Sequence, residues 1–235
     1  MRAVIFDMDG VIVDTEPLWR EAEREVFAGV GLDLTDADCE RTMGMRTDEV
    51  VAFWHDRSPW PGPPPEGVEA RITSRMLHLI SERAGVMPGL EHALATARAS
   101  GLRLGLASSS CPELIDAVLA KLGLEGTFAT VCSATAEPLG KPHPGVFLTT
   151  ARRLGVEPAE CVVIEDSLAG VQAAVAAGMR VIAVPPAHLF DEPGFRHADL
   201  KLQSLEDLSA GMLGASRRSQ VSGFIEKLKK HSNRA

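Results

Sequence analysis

The chain has 235 residues, 45% hydrophobic and 24% charged, enough to bury one good core and carry a smaller second domain. A formal net charge of −8 argues against nonspecific nucleic-acid binding. No stretch reaches the roughly 18 uninterrupted apolar residues of a membrane span, and the opening MRAVIFDMDGVIVD has no basic segment followed by a long apolar run, so the expectation is cytoplasmic.

In chain order, Ala3-Val4-Ile5-Phe6 is a short β-prone run ending at Asp7, the pattern of a strand buried on both faces. From Thr15 to about Arg83 the chain reads as helix after helix. Leu18, Ala22 and Val26 form one apolar stripe, Thr47 with Asp48 and Glu49 starts a second helix, and Gly67 to Glu82 is a third. WPGPPPE at Trp60 to Glu66 is a turn-rich break, and Trp54, His55 and Trp60 are expected to build the core of this helical unit. Pro88-Gly89 then returns the chain to an α/β pattern, with linkers near Asp14 and Gly85.

Further on, Leu102 to Ala107 ends at Ser108, Cys161 to Ile164 ends at Glu165, and Arg180 to Val184 ends at Pro185. Between them Leu114, Ile115, Val118, Leu119 and Leu122 recur at helical spacing, as do Phe147, Thr150 and Leu154. Ser110 with Glu113 reads as a capping box for the first of these helices, and Pro144 suits the start of the second. The fold class expected is α/β: a Rossmann-like, doubly wound parallel sheet with an inserted α-helical cap. Its catalytic core comprises residues 1–15 and 84–212, the cap residues 16–83, and a basic tail residues 213–235. Ligands of such sheets bind beyond the carboxyl ends of the strands, where Asp7, Ser108 and Glu165 would gather.

Asp7-Met8-Asp9 sets two carboxylates in one turn, which alone is also ordinary loop chemistry. Ser108, Lys141 and Glu165-Asp166 supply the other parts of a phosphoryl-transfer site. Asp7 can attack phosphorus and form an acyl phosphate. Asp9 can protonate the leaving alkoxide and then deprotonate water. Ser108 and Lys141 can hold phosphoryl oxygens, while Asp7, the Asp9 carbonyl and Asp166 offer the hard oxygen ligands that suit Mg²⁺.

In this order the motifs DMDGVIVDTEP, LASSS, the lysine of GKPHPGVF, and IEDSLAGVQAA resemble the haloacid dehalogenase superfamily from Arg2 to about Leu208. The resemblance implies Asp7 as nucleophile, Asp9 as acid-base, Ser108 and Lys141 as phosphate holders, and Glu165 with Asp166 at the metal. A receiver domain also combines acidic residues, Ser/Thr and Lys, but sets its acidic pair before the phosphorylated aspartate and lacks a lid. The insert resembles the helical cap of the β-phosphoglucomutase-like subgroup. Its run MGMRTDEVVAFWHDRSPWPGP, with DTEPLW, is most similar to hexitol phosphatases and 2-deoxyglucose-6-phosphate phosphatases. That implies a hydrolase of a small phosphorylated metabolite, of the hexose or hexitol 6-phosphate type, monomeric or weakly homo-oligomeric. Arg46 is then either on the cap face over the site or a solvated helix-start arginine.

Mutases of the subgroup usually carry histidine where Trp19 stands, and lysine and asparagine where Cys111 and Pro112 stand. Neither Cys111 nor Pro112 donates a strong hydrogen bond to a second phosphate, so hydrolysis is preferred over mutation. A non-catalytic sensor of phosphorylated metabolites is the remaining alternative. Ser109 is a candidate phosphate-binding residue that lines the pocket, or serves the turn; Glu16 and Trp19 lie close to the cleft as candidate substrate contacts, and His143 is a loop or cap histidine or touches substrate. Asp14 fixes the linker turn. Cys39, Cys111, Cys132 and Cys161 are scattered and read as reduced, structural thiols. Arg217, Arg218, Lys227, Lys229, Lys230 and Arg234 make the tail basic, a solvated terminal helix or frayed end.

Overall fold

The computed structural model describes residues 1–214; the basic tail residues named above lie outside the described residues. A parallel sheet runs through the centre, built from β1 (Ala3–Phe6), β4 (Arg103–Ser108), β5 (Thr130–Ser133), β6 (Cys161–Glu165), β7 (Arg180–Ala183) and β8 (Leu200–Lys201) in the order β5-β4-β1-β6-β7-β8. β1 is central because it is entirely apolar and pairs on both sides, Ala3 with Arg103 on one and with Cys161 on the other. Its successive side chains feed two cores. Val4 and Phe6 join Leu104, Leu106 and Ile164 on one face, and Ala3 and Ile5 join Val163 and Val181 on the other, as the two-residue period of a strand requires.

Helices α5 (Leu90–Ala99) and α6 (Pro112–Leu122) cover the first face, and α7 (Gly145–Leu154) and α8 (Leu168–Ala176) the second. Gly105 in β4 lets α7 come close, since a Cβ there would lie 2.9 Å from Thr150 Cγ2. α6 begins at Pro112 with Cys111 as N-cap and no side-chain cap, which corrects the Ser110-Glu113 capping box. The proline at the first helical position sets the start one residue further on than Ser110 could cap.

Between β1 and α5 lie α1 (Glu16–Ala28), α2 (Asp36–Glu40), α3 (Thr47–Arg57) and α4 (Pro65–Arg83). Their apolar stripes, among them Leu18, Ala22, Val50, Trp54, Ile72 and Met76, are continuous with the first core. α4 starts earlier than its periodicity suggested because Pro65 occupies its first turn. The segments entering and leaving these helices pair as an antiparallel ribbon of β2 (Val13–Asp14) and β3 (Gly85–Val86), Asp14 opposite Gly85. Order reverses around β1: the chain builds β4 and β5 to one side, then crosses to β6 and β7 on the other. The crevice of such a switch point opens at the carboxyl ends of β1, β4 and β6.

Candidate active site

Asp7 follows β1, Ser108 ends β4 and Glu165 ends β6, so three sheet neighbours deliver the first three polar groups to one place. The Asp7 amide still donates to Ile164 O at 3.0 Å, which extends the sheet one residue and fixes the carboxyl beyond the strand end. Met8 turns into the apolar core, and the chain reverses at Gly10 with φ of 70°. Only glycine fits this turn, because a Cβ there would lie 1.9 Å from Asp166 Oδ2.

Lys141 is buried with its Nζ 2.6 Å from Asp7 Oδ1 and 2.6 Å from Glu165 Oε1. Its two carboxylate partners outweigh desolvation and push its pKa up, so it stays cationic. Burial raises the Asp7 carboxyl to about 8, with Glu165 and Asp9 adding to the rise and Lys141 opposing it. Asp166 is raised well above the usual carboxylate range by burial first, then by Glu165, Asp7 and Glu16. One lysine thus faces three buried carboxyls, and two negative charges stay unbalanced whenever all three ionise. Single oxygens from Asp7, Glu165 and Asp166 lie within 4.8 Å of one another. Asp166 Oδ2 is buried without a hydrogen-bond partner. A hard divalent cation fits this charge and this orphaned oxygen.

The two residues implied at the metal are not equivalent. Glu165 gives Oε1 to Lys141 and receives the Ser167 amide and hydroxyl on Oε2 at 2.9 and 3.0 Å. Its oxygens are spent on protein donors, whereas Asp166 keeps one oxygen unpaired.

Asp9 sits apart from this acidic group. Its Oδ1 accepts from Thr15 Oγ1 at 2.5 Å and from Trp19 Nε1 at 2.9 Å, and its Oδ2 from Ser110 Oγ at 2.9 Å. Ser110, expected as a helix cap, is therefore an Asp9 ligand, and so is Thr15 at the entrance to α1. Nothing in the sequence marked either as an Asp9 partner, since Ser110 read as a helix cap and Thr15 as the start of the helical stretch. Ser108 is fully buried and its Oγ accepts the Ser110 amide at 3.0 Å. Ser109 donates to Gly44 O at 2.7 Å, joining the sheet end to the helical insert. Gly44 has φ of 81°, and a Cβ there would meet Ser167 Oγ at 2.5 Å, so this crossing needs glycine.

A cavity of about 50 Å³ lies between the sheet end and the insert. Asp7, Asp9, Asp166 and Ser109 form one wall, and Glu16, Trp19, Glu23, Thr42 and Met43 belong to the other. Burial raises Glu16 to about 7, helped by the charge of Asp9 and opposed by Arg20. Among the described residues, Arg20 is the only basic side chain on the wall, and it pairs with Glu16 at 3.5 Å.

Arg46 and His143 are not brought to this cavity. Arg46 is buried, donates to Glu137 O at 2.8 Å and Ala134 O at 3.2 Å, and pairs with Asp48 at 2.6 Å. It is neither over the site nor solvated; it fastens the start of α3 to the loop that leads to Lys141. His143 is exposed and its Nδ1 accepts the Gly145 amide at 3.1 Å, opening α7.

The model of haloacid dehalogenase-like hydrolases matches residues 1–178. Hexitol phosphatase B of Escherichia coli (strain K12) is 42% identical over 209 residues, covering 88% of this chain and 94% of that protein. A phosphorylated carbohydrates phosphatase of Thermotoga maritima is 35% identical over 77% of this chain and 84% of its own. Among solved structures, CbbY from Rhodobacter sphaeroides in complex with phosphate superimposes with a TM-score of 0.78 at 29% identity, covering 88% of this chain and 96% of that one. A β-phosphoglucomutase from Clostridium difficile does so with 0.79 at 26% identity, covering 96% and 99%. With the acidic strand ends, the central lysine and these matches together, the chain belongs to the haloacid dehalogenase-like hydrolases.

Proposed function

We propose that this protein is a Mg²⁺-dependent phosphatase of small sugar or sugar-alcohol phosphates, of the hexose or hexitol 6-phosphate type, working through an aspartyl-phosphate on Asp7. The observation that carries the reading is the buried meeting of Asp7, Lys141 and Asp166 beside a cavity bordered by Asp9. Two of the relatives reported above are named for phosphatases of hexitols and of phosphorylated carbohydrates. Such metabolites are cytoplasmic, and so, on this reading, is the enzyme.

Lys141 engages Asp7 Oδ1, which leaves Oδ2 for attack on phosphorus. Asp9 passes a proton to the departing alkoxide and later takes one from the water that cleaves the acyl phosphate, a role worth roughly 10²–10⁴-fold. Thr15, Trp19 and Ser110 orient its carboxyl for both steps. Asp7, Asp166 and the Asp9 carbonyl would hold Mg²⁺, with Glu165 positioning Lys141 rather than binding metal. When bound, the cation neutralises charge on the phosphoryl oxygens and on the attacking carboxylate. Ser108 and Lys141 supply donors to the transferred group, and Ser109 ties its strand end to the insert.

The cavity volume of about 50 Å³ is far below the roughly 300–1,000 Å³ of ligand pockets, so residues 16–83 act as a cap that opens to admit substrate. A phosphosugar mutase would hold a second phosphate while the first reacts. That reading lacks a grip: Arg20 is paired with Glu16, Arg46 is committed to carbonyls, and Cys111 caps α6.

The test is phosphate release from a panel of esters with Mg²⁺. Hexitol and hexose 6-phosphates are expected among the best substrates. Conversion of β-glucose 1-phosphate to glucose 6-phosphate many times faster than any hydrolysis would overturn the reading.

A further inference from the structure

Glu16 and Glu23 are the acidic side chains of the cavity that the chemistry above leaves unused, and Glu16 is paired with Arg20. Glu16, Trp19 and Glu23 follow one another at three- and four-residue steps along α1, so one face of that helix presents all three to the cavity. Glu23 is 7% exposed, and its Oε2 is buried without a hydrogen-bond partner. The Cys39 thiol is its neighbour. Buried polar oxygens are almost always partnered, so an orphan on a cavity wall marks the place of a ligand's donor. On this side of the cavity the remaining polar groups are Glu16, Arg20, Thr42 and Thr47, and Arg20 already belongs to Glu16.

We propose that Glu23 is a specificity-determining residue that hydrogen-bonds a hydroxyl of the substrate's tail, selecting uncharged, polyhydroxylated phosphate esters over esters bearing a second anion. This rests on the phosphatase reading and names the part of the substrate the insert recognises. A wall without a free cation leaves a second phosphate or carboxylate buried and unpaired, while a hydroxyl both gives to and receives from a carboxyl group. Burial, with the charge of Glu16 adding to it and the Cys39 thiol opposing, raises Glu23 to about 8. Near neutrality it therefore carries a proton and meets a neutral hydroxyl without burying a charge.

The experiment compares Glu23→Leu, Glu23→Gln and the unmodified enzyme on two substrates: a hexitol 6-phosphate and p-nitrophenyl phosphate, which has no hydroxyls. Glu23→Leu should lower the ratio of kcat/KM for hexitol 6-phosphate to that for p-nitrophenyl phosphate by about tenfold or more, mostly through KM. Glu23→Gln, which still donates and accepts, should recover most of that ratio. The melting temperature of Glu23→Leu should equal or exceed that of the unmodified enzyme, because an unpartnered carboxyl is replaced by an apolar group. A lowered melting temperature with an unchanged ratio assigns Glu23 to the scaffold and overturns the inference. So does a Glu23→Leu ratio equal to that of an unmodified enzyme that hydrolyses hexitol 6-phosphate, and the substrate reading then stands. An unmodified enzyme that cleaves p-nitrophenyl phosphate but no hexitol or hexose phosphate overturns both.

Discussion

Lys141 Nζ lies 2.6 Å from Asp7 Oδ1 with both side chains closed off from solvent, although 134 residues separate them. The pair holds one oxygen of Asp7 and leaves the other available. It also defines what a substitution at either end does.

Asp7→Asn should abolish phosphate release, a loss of at least about 10⁴-fold, because an amide cannot serve as the anionic nucleophile. The fold should survive, since the change relieves crowding among buried carboxyls. Steady-state assays with a thermal melt of the same preparation check this. Appreciable turnover in a clean preparation removes Asp7 from its role.

Removing divalent cations should stop turnover, and Mg²⁺ should restore it better than Ca²⁺, whose larger and looser coordination suits the attacking carboxylate less well. Mg²⁺ should also raise the melting temperature, because it balances charge that Lys141 alone cannot. Asp166→Asn should weaken both effects. A rate unchanged after exhaustive chelation would contradict the metal assignment.

Trp19→Phe removes one of the three donors to Asp9 while keeping an aromatic ring in place. With the carboxyl held by Thr15 and Ser110 alone, kcat should fall roughly tenfold and KM should move less, as expected for a group that orients an acid-base residue. Separate measurement of kcat and KM decides it. A change confined to KM would instead make Trp19 a substrate contact.

Glu23 should also leave a mark on stability against pH. Its carboxyl rises from 4.5 to about 8 on folding, so between those values the folded protein holds a proton that the unfolded chain has lost. Stability from this group is full below the unfolded value and is lost as pH climbs through the folded one, at up to about 1.4 kcal/mol per pH unit. Glu23→Gln does not titrate. Its melting temperature should therefore gain on the unmodified protein as pH rises from about 5 to about 8.5. A difference that stays constant across that range would show that Glu23 is not shifted.

The strands that carry the chemistry were readable because a strand buried on both faces must be apolar throughout, and a polar residue then marks its end. Asp7, Ser108 and Glu165 were located this way, and the ordered motifs around them identified the hydrolase family. β5 and β8 gave no such signal. Thr130–Ser133 is half-buried at the sheet's flank, and Leu200–Lys201 is two residues at the other edge. α2 was legible in principle, since Thr35 and Asp38 form a capping box.

Local pattern alone was enough for the α/β class, the helical character of residues 16–83, and the residue types available for phosphoryl transfer, because periodicity and strand ends are properties of adjacent residues. Which side chains meet was decided by chain segments remote in sequence. Ser110 caps no helix and instead holds Asp9, 101 residues away. Arg46 faces Ala134 and Glu137 rather than the cavity. Glu165 spends its oxygens on Lys141 and Ser167, while its neighbour Asp166 keeps one unpaired. A side chain's role here depends on which donors packing leaves within about 3 Å of it, and that follows from how the insert lies against the sheet rather than from any run of residues.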